Sequence, residues 1–417
     1  MGMTMSPPAT MRGPERMKAR ELLRASGGPR YAAALAVDSL GNGMLRPFLL
    51  LYGINVLRLS GPLAGTAMTV GVLGGLCTTP AVGRLLDRGA RSSVVAASML
   101  VRALGTLFLL AAPVGGIRQF TAAALVLGIG NQAMPTAHAA LVATLSAGRG
   151  RDAALAAARA VRNAGMGLGA LATTLCLTGG TPALRALAAA TGISYLVAAT
   201  LAASVRISAT PRARVAGSRR RRESARGMHA LLSANAVYAF CLNVPEVALP
   251  LIVVKTLHAS PLWASGIFVA NTVLVVALQI PVTAWTARFG RRTAMGLAGL
   301  VITASYLGFL VADGLGHELA APAVATVSIL CTLGEIVYAG TAAPLLLALT
   351  PEPALGRALA RFQLSTGAGL AVSPMIITAL AAHGTAALWL TLAAATLAAA
   401  WTVSRGAAVP PHTSDQV

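Results

Sequence analysis

Asp38, Arg46, Arg102, Glu246 and Glu335 stand inside long apolar runs, and a charge in such surroundings needs a partner or a task. Near a bilayer centre it costs roughly 2.5–3.5 kcal/mol on insertion scales. Asp38 and Arg102 are opposite in sign and matched in depth, which points to an ion pair, either a static brace or a coupling element. Arg46 and Glu246 are also opposite in sign, and each stands at the same distance before a serine, Ser60 and Ser260. That couple is expected to act as a gate that closes and parts, or to hold a solute between its members; the alternative is a separate partner for each. Glu335 has no cation at an obvious matching depth. A desolvated carboxylate of that kind can carry a proton, and Glu335 is the first candidate for proton coupling.

Other chemistry finds no support. No His, Cys, Asp or Glu cluster has the spacing of a metal site or an activated nucleophile, and no G-x-x-x-x-G-K-[ST] loop occurs. No enzyme activity, metal or cofactor is therefore expected. Cys77, Cys176, Cys241 and Cys331 fall singly in apolar runs and read as small buried side chains. The net charge of +21 raises a nucleic-acid partner, but aromatic residues are only 4% of the chain, too few for a base-stacking surface.

The elements that must position these charges are membrane helices. The chain is 56% hydrophobic and 11% charged, with a mean hydropathy of +0.72, where soluble domains run about 45–50% apolar and about 25% charged. Apolar runs long enough to span a bilayer are expected at Tyr31–Leu57, Ala64–Leu86, Ser93–Val114, Phe120–Ser146, Ala153–Thr178 and Pro182–Val205. A second set covers His229–Leu257, Leu262–Thr286, Thr293–Ala312, Leu319–Leu349, Leu355–Ala382 and Ala386–Val403. This divides the chain into a basic arm (1–30), a first six-helix half (31–205), a linker (206–228), a second half (229–403) and a tail (404–417). The linker carries the run Arg219–Arg222 and reads as a solvated connection.

Basic residues fall at alternate gaps. One side holds Arg84, Arg88, Arg91, Arg149, Arg151, the linker, Arg288, Arg291, Arg292, Arg357 and Arg361; the other holds Arg58, Arg118, Arg185 and Lys255. The positive-inside rule places the first side, with both termini, in the cytoplasm. Arginine nearly excludes lysine and alanine is abundant, which suggests a GC-rich bacterial genome and a bacterial inner membrane.

The two sets echo each other at an offset of about 200 positions, the size of a half rather than of a solenoid repeat. Gly83-Arg84-Leu85-Leu86-Asp87-Arg88-Gly89-Ala90-Arg91 is answered by Thr283-Ala284-Trp285-Thr286-Ala287-Arg288-Phe289-Gly290-Arg291. Arg159 is answered, slightly slipped, by Arg361. Two halves of six spans, a basic linker and this motif resemble the major facilitator superfamily, whose pattern between the second and third spans is G-x-L-x-D-R-x-G-R. Gly83, Leu85, Asp87, Arg88 and Arg91 match, with Ala90 in place of a glycine; the second copy keeps Arg288, Gly290 and Arg291 but has Ala287 for the acid. The resemblance implies an all-α fold of twelve transmembrane helices in two halves related by a parallel repeat. It also implies a cytoplasmic latch centred on Asp87, with Arg88 and Arg91 as its partners. Against the family's proton-coupled drug exporters, their fourth-span arginine falls here on Ala124 or Leu125, and their fifth-span glycine-proline pair on Gly169-Ala170.

The expected function is secondary transport of a small organic solute by alternating access, with the bilayer and a proton as partners and a monomer as the working unit. Proton-coupled efflux is placed first and proton-coupled or facilitated uptake second; a non-transporting sensor or scaffold is a minor alternative. If Arg46 and Glu246 pair, exchanging them (Arg46→Glu with Glu246→Arg) should restore the solute flux that each single change removes. A double variant no better than either single would end the pairing.

Overall fold

The computed structural model describes residues 19–176, 179–205 and 218–405; several side chains within these stretches, those of Arg46 and Glu246 among them, lie outside the description. Among the described residues the chain is helical without strands. After a short helix at Ala19–Ala25 come α1 (Pro29–Asn55), α2 (Gly61–Asp87), α3 (Arg91–Leu110), α4 (Ile117–Leu145), α5 (Gly148–Cys176) and α6 (Gly180–Ala203). The second series is α7 (Ser218–Cys241), α8 (Pro261–Thr286), α9 (Arg291–Asp313), α10 (His317–Leu349), α11 (Leu355–Ala382) and α12 (Thr385–Ser404). Two starts differ from expectation. Helix α7 begins inside the interval read as a linker, so the backbone of Arg219–Arg222 is helical. Helix α5 begins at Gly148, which brings Arg149, Arg151 and Asp152 onto its first turns.

The repeat is written into the backbone. α2 and α8 begin beside Ser60 and Ser260, α3 and α9 begin at Arg91 and Arg291, and α4 and α10 begin at Ile117 and His317. Arg58 (φ 58°) and His258 (φ 50°) adopt the same left-handed turn at equivalent places, a conformation uncommon outside glycine. In that turn Leu59 N donates to Gly53 O, and Ala259 N to Val253 O. The packing repeats too. In the first half α2 and α3 pack on α4, α3 on α6, and α1 on α5 and α6; in the second, α8 and α9 pack on α10, α9 on α12, and α7 on α11 and α12. Across the halves α2 meets α11 and α5 meets α8, an exchange that a twofold axis between the halves produces.

The repeat breaks in one element. α1 is an α-helix throughout, whereas its counterpart α7 continues past Cys241 as a π-helical stretch (Val244–Ala248), one α-helical turn (Leu249–Leu251) and a second π-helical stretch (Ile252–Thr256). Pro245 and Pro250 lack the N–H groups that a regular ladder requires. Wider π-turns recur at functional sites.

Eight helices are each long and apolar enough to cross a membrane: α2, α3, α6, α8, α9, α10, α11 and α12. The remaining four, α1, α4, α5 and α7, carry Asp38, Asn131, Gln132, Arg159, Arg162, Asn235 and Asn243.

Glycines allow the closest approaches. Gly165 and Gly169 of α5 lie against the α1 backbone at Ser39–Met44, while Gly167 faces Thr272 of α8. Between the halves, a Cβ at Gly356 of α11 would stand 2.1 Å from Gly83 O and 2.9 Å from Asp87 N of α2. No side chain fits there without separating the helices. Gly356→Val is expected to lengthen the distance between spin labels placed on α2 and α11 at this end; an unchanged distance distribution would show that the contact does not hold the halves together.

Candidate functional site

One end of the bundle, where α2 turns into α3, α4 into α5, α8 into α9 and α10 into α11, gathers the arginines of those turns and is here the basic end. The halves are tied together at this end by two links. Asp87, at the last turn of α2, accepts hydrogen bonds from Gly356 N at 2.6 Å and from Arg357 Nε at 2.8 Å, both at the start of α11. A carboxylate there neutralises a side-chain cation and meets the positive end of a helix dipole. Arg88 and Arg91 are not its partners, as the motif had implied. Arg88 is exposed, and Arg91 is buried and donates to Thr144 of α4. The local reason is that α3 begins at Arg91 and turns its first side chain back into its own half.

The second link runs the other way. Arg291 Nη2, at the start of α9, donates to Asp152 Oδ2 of α5 at 2.9 Å. Ala287 removes the acid that the repeat would have placed after α8, and Asp152 on the opposite half supplies one instead. Arg288 is exposed, and Gly290 caps the start of α9. Asp152 escaped the sequence reading because the fifth span was started one residue too late to include it. Between these links and the bundle centre, Gln363 of α11 donates to Gln132 of α4 at 2.8 Å. Among the described residues no hydrogen bond or ion pair joins the halves beyond that level, toward the far end.

Among the described residues, five charges share this level. At about 1.5 Å per residue, Asp38, Arg102, Arg159, Arg162 and Glu335 lie roughly 13–21 Å from the basic ends of their helices. Arg102 Nη2 donates to Asp38 Oδ1, with Arg102 2% and Asp38 5% exposed. The guanidinium also lies 4.7 Å from the centroid of the Tyr195 ring, within cation–π range. Gly130 of α4 leaves room for the Arg102 stem, since a Cβ there would meet Cγ at 2.5 Å. Helices α1, α3 and α6 of one half hold every member of this group. Its position within a single rigid half suits a brace.

Arg159 and Arg162 stand one turn apart on α5 and were missed as interior charges, because Arg159 had served only as a repeat marker against Arg361. Their signal was available: two arginines at helical spacing in a run otherwise rich in alanine. Arg361 is exposed and does not repeat the interior placement. Arg162 is within electrostatic reach of Asp38, Arg102 and Tyr31, and Arg159 of Tyr338 and Glu335.

Glu335 is 7% exposed. Asn271 Nδ2 of α8 donates to its Oε2 at 3.3 Å, and Cys331 Sγ lies 4.0 Å from Oε1. From spacing alone Glu335 has no cation at its depth; the structure brings Arg159 of the opposite half within electrostatic reach of it, without an ion pair. Sequence spacing could not show it, because α5 and α10 meet only across the interface. Beside it, Tyr338 Oη donates to Asn235 Oδ1 at 2.8 Å, and Asn235 Nδ2 donates to Thr366 Oγ1 at 2.9 Å. In the first half Tyr31 Oη lies 2.8 Å from His138 Nδ1, the two rings stacked at 5.8 Å. The Arg46 and Glu246 side chains lie outside the described residues; their backbones fall in α1 and in the π-helical Val244–Ala248.

Comparison with known proteins agrees with this architecture. A family model described as Major Facilitator Superfamily matches residues 31–244 and again 231–416. No curated protein matches the sequence. Among solved structures, a bacterial homologue of the iron transporter ferroportin in an outward-facing state aligns with a TM-score of 0.70 at 15% identity, covering 90% of this chain and 96% of that one. The human organic anion transporter MFSD10 gives 0.69 at 16%, covering 93% and 100%. The transporter FucP in its outward conformation gives 0.70 at 14%, covering 91% and 99%. At such identities the likeness speaks for the fold alone.

Asp38→Asn would leave Arg102 buried without its counter-charge, a loss of about 3–5 kcal/mol for a broken buried pair. Thermal unfolding in detergent should show a clear fall in Tm, with most of it regained when Arg102→Met is added. A parental Tm for Asp38→Asn would remove the brace.

Proposed function

The chain belongs to the Major Facilitator Superfamily, and on that premise we propose that it is a proton-coupled secondary transporter with Glu335 as its proton site. As a multi-pass membrane transporter it moves a small solute by alternating access, the halves rocking about a site near the bilayer midplane. The arginine asymmetry supports a cytoplasmic basic end with both termini inside, and the arginine- and alanine-rich composition supports a bacterial inner membrane. With that end tied shut by Asp87 and Asp152, the conformation described here is the outward-facing one. The working unit is a single chain, since the interior site is completed by its own two halves.

The observation that carries the coupling is the position of Glu335. One hydrogen-bond donor to it, Asn271, belongs to its own half, while a cation within its electrostatic reach, Arg159, stands on α5 of the other half, which packs against α10. Its charge state is therefore linked to how the halves sit. A proton taken up by Glu335 removes a negative charge within reach of Arg159 and leaves more positive charge at that level for a solute. Proton and solute then bind together rather than in exchange. This favours uptake over the efflux that the sequence reading had placed first.

The measurement is solute flux in proteoliposomes of fixed orientation, with and without an imposed pH gradient, using a solute selected by thermal shift. Inward flux of the parental protein should follow the inward proton gradient. Glu335→Gln should still exchange solute across the membrane while losing its response to pH. Unaltered pH dependence in Glu335→Gln would dismiss it as the proton site, and flux driven against the proton gradient would restore efflux.

A further inference from the structure

Arg159 and Arg162 are the least accounted-for charges in the molecule. Among the described residues neither guanidinium makes an ion pair or a hydrogen bond. The acids at their level are engaged elsewhere: Asp38 is held directly by Arg102, and Glu335 accepts from Asn271. Among the described residues three guanidiniums thus share this level with two carboxylates, and one turn of α5 presents two half-buried cations side by side. An unpaired cation at this depth is expensive and marks a substrate or ion pathway. Repulsion between neighbouring like charges raises the expense further.

We infer that Arg159 and Arg162 form the acceptor for an oxyanion group, so that the transported solute is a small organic acid. This rests on the transport reading above and names the substrate class of that site. A guanidinium is a planar fork of donors matched to carboxylate, phosphate or sulfonate. Two forks a turn apart can hold one such group from two directions. Tyr31 and Tyr338, one from each half, lie within electrostatic reach, their hydroxyls held by His138 and Asn235. The solute enters from the far end, where no described polar link joins the halves, and stops above the Gln132–Gln363 bond. Protonation of Glu335 raises the excess among these five described charges from one to two, which strengthens the hold on the anion at the moment the proton is aboard.

The test uses acid and amide twins on the purified full-length protein in lipid nanodiscs. Benzoate is compared with benzamide, and succinate with succinamide, by thermal shift at millimolar concentration. At least one acid should raise Tm while its amide does not, and the shift should shrink as salt screens the contact. Arg159→Gln and Arg162→Gln should each weaken acid binding about tenfold or more, without lowering the Tm of the unliganded protein, because an unpaired interior cation has been removed. Arg159→Lys and Arg162→Lys, which keep the charge but not the fork, should bind at an intermediate strength and cover the case of a glutamine variant that fails to fold. Equal stabilisation by acid and amide, full acid binding in the glutamine variants, or no shift from any of the acids would each overturn the inference. The two readings fail separately. Acid binding without flux under a pH gradient removes proton coupling alone, while gradient-driven flux of an amide or an amine removes the anion site alone.

Discussion

Hydrocarbon does not tolerate a lone charge, and the interior of this bundle is arranged around that constraint. Each ion in the membrane interior must be neutralised by a side chain, by a proton or by a bound solute. The described residues show different answers at one level of the bundle. Asp38 and Arg102 neutralise each other inside one half, with Tyr195 covering the guanidinium. Glu335 is served by an amide from its own half and faces a cation from the other. Arg159 and Arg162 are answered by no described ion pair. The sequence from fixed pair to shared acid to open cation runs from the scaffold of one half to the boundary between the halves, and the freedom to exchange partners rises along it.

The same logic holds at the basic end, where solvent is nearer and the links can break at less expense. Asp87 reaches from the first half to the start of α11, and Arg291 from the second half to the start of α5. The two links have opposite polarity, so neither half is all donor or all acceptor. Gly83 and Gly356 bring the backbones close enough for the Asp87 contact to form. Hydrogen bonds and charge pairs of this kind make a closure that is specific in register and reversible in energy, which a large apolar seal would not be.

Much of the fold could be read from the chain itself. Apolar runs located the helices, and the echo of Gly83–Arg91 at 283–291 announced the repeat that now appears in the turns at Arg58 and His258. What could not be read was anything set by contact between the halves. Asp87 was assigned to arginines near it in sequence and lies instead against Arg357, far along the chain. Glu335 was left without a cation because its neighbour Arg159 is on α5. Local spacing reports the face of one helix, and these sites are made where two helices from different halves meet. The arginines of α5 were overlooked for another reason: Arg159 was matched to Arg361 as a marker of the repeat, and Arg361 is exposed.

The four helices too polar to cross on their own account have a consequence for how the chain is made. α1 is among them and is synthesised before any of its partners. Its carboxylate, Asp38, meets its cation only when α3 has emerged. Asp38 of α1 and Arg102 of α3 thus enter the apolar interior as a neutral couple, and the two helices carry together what neither would carry alone.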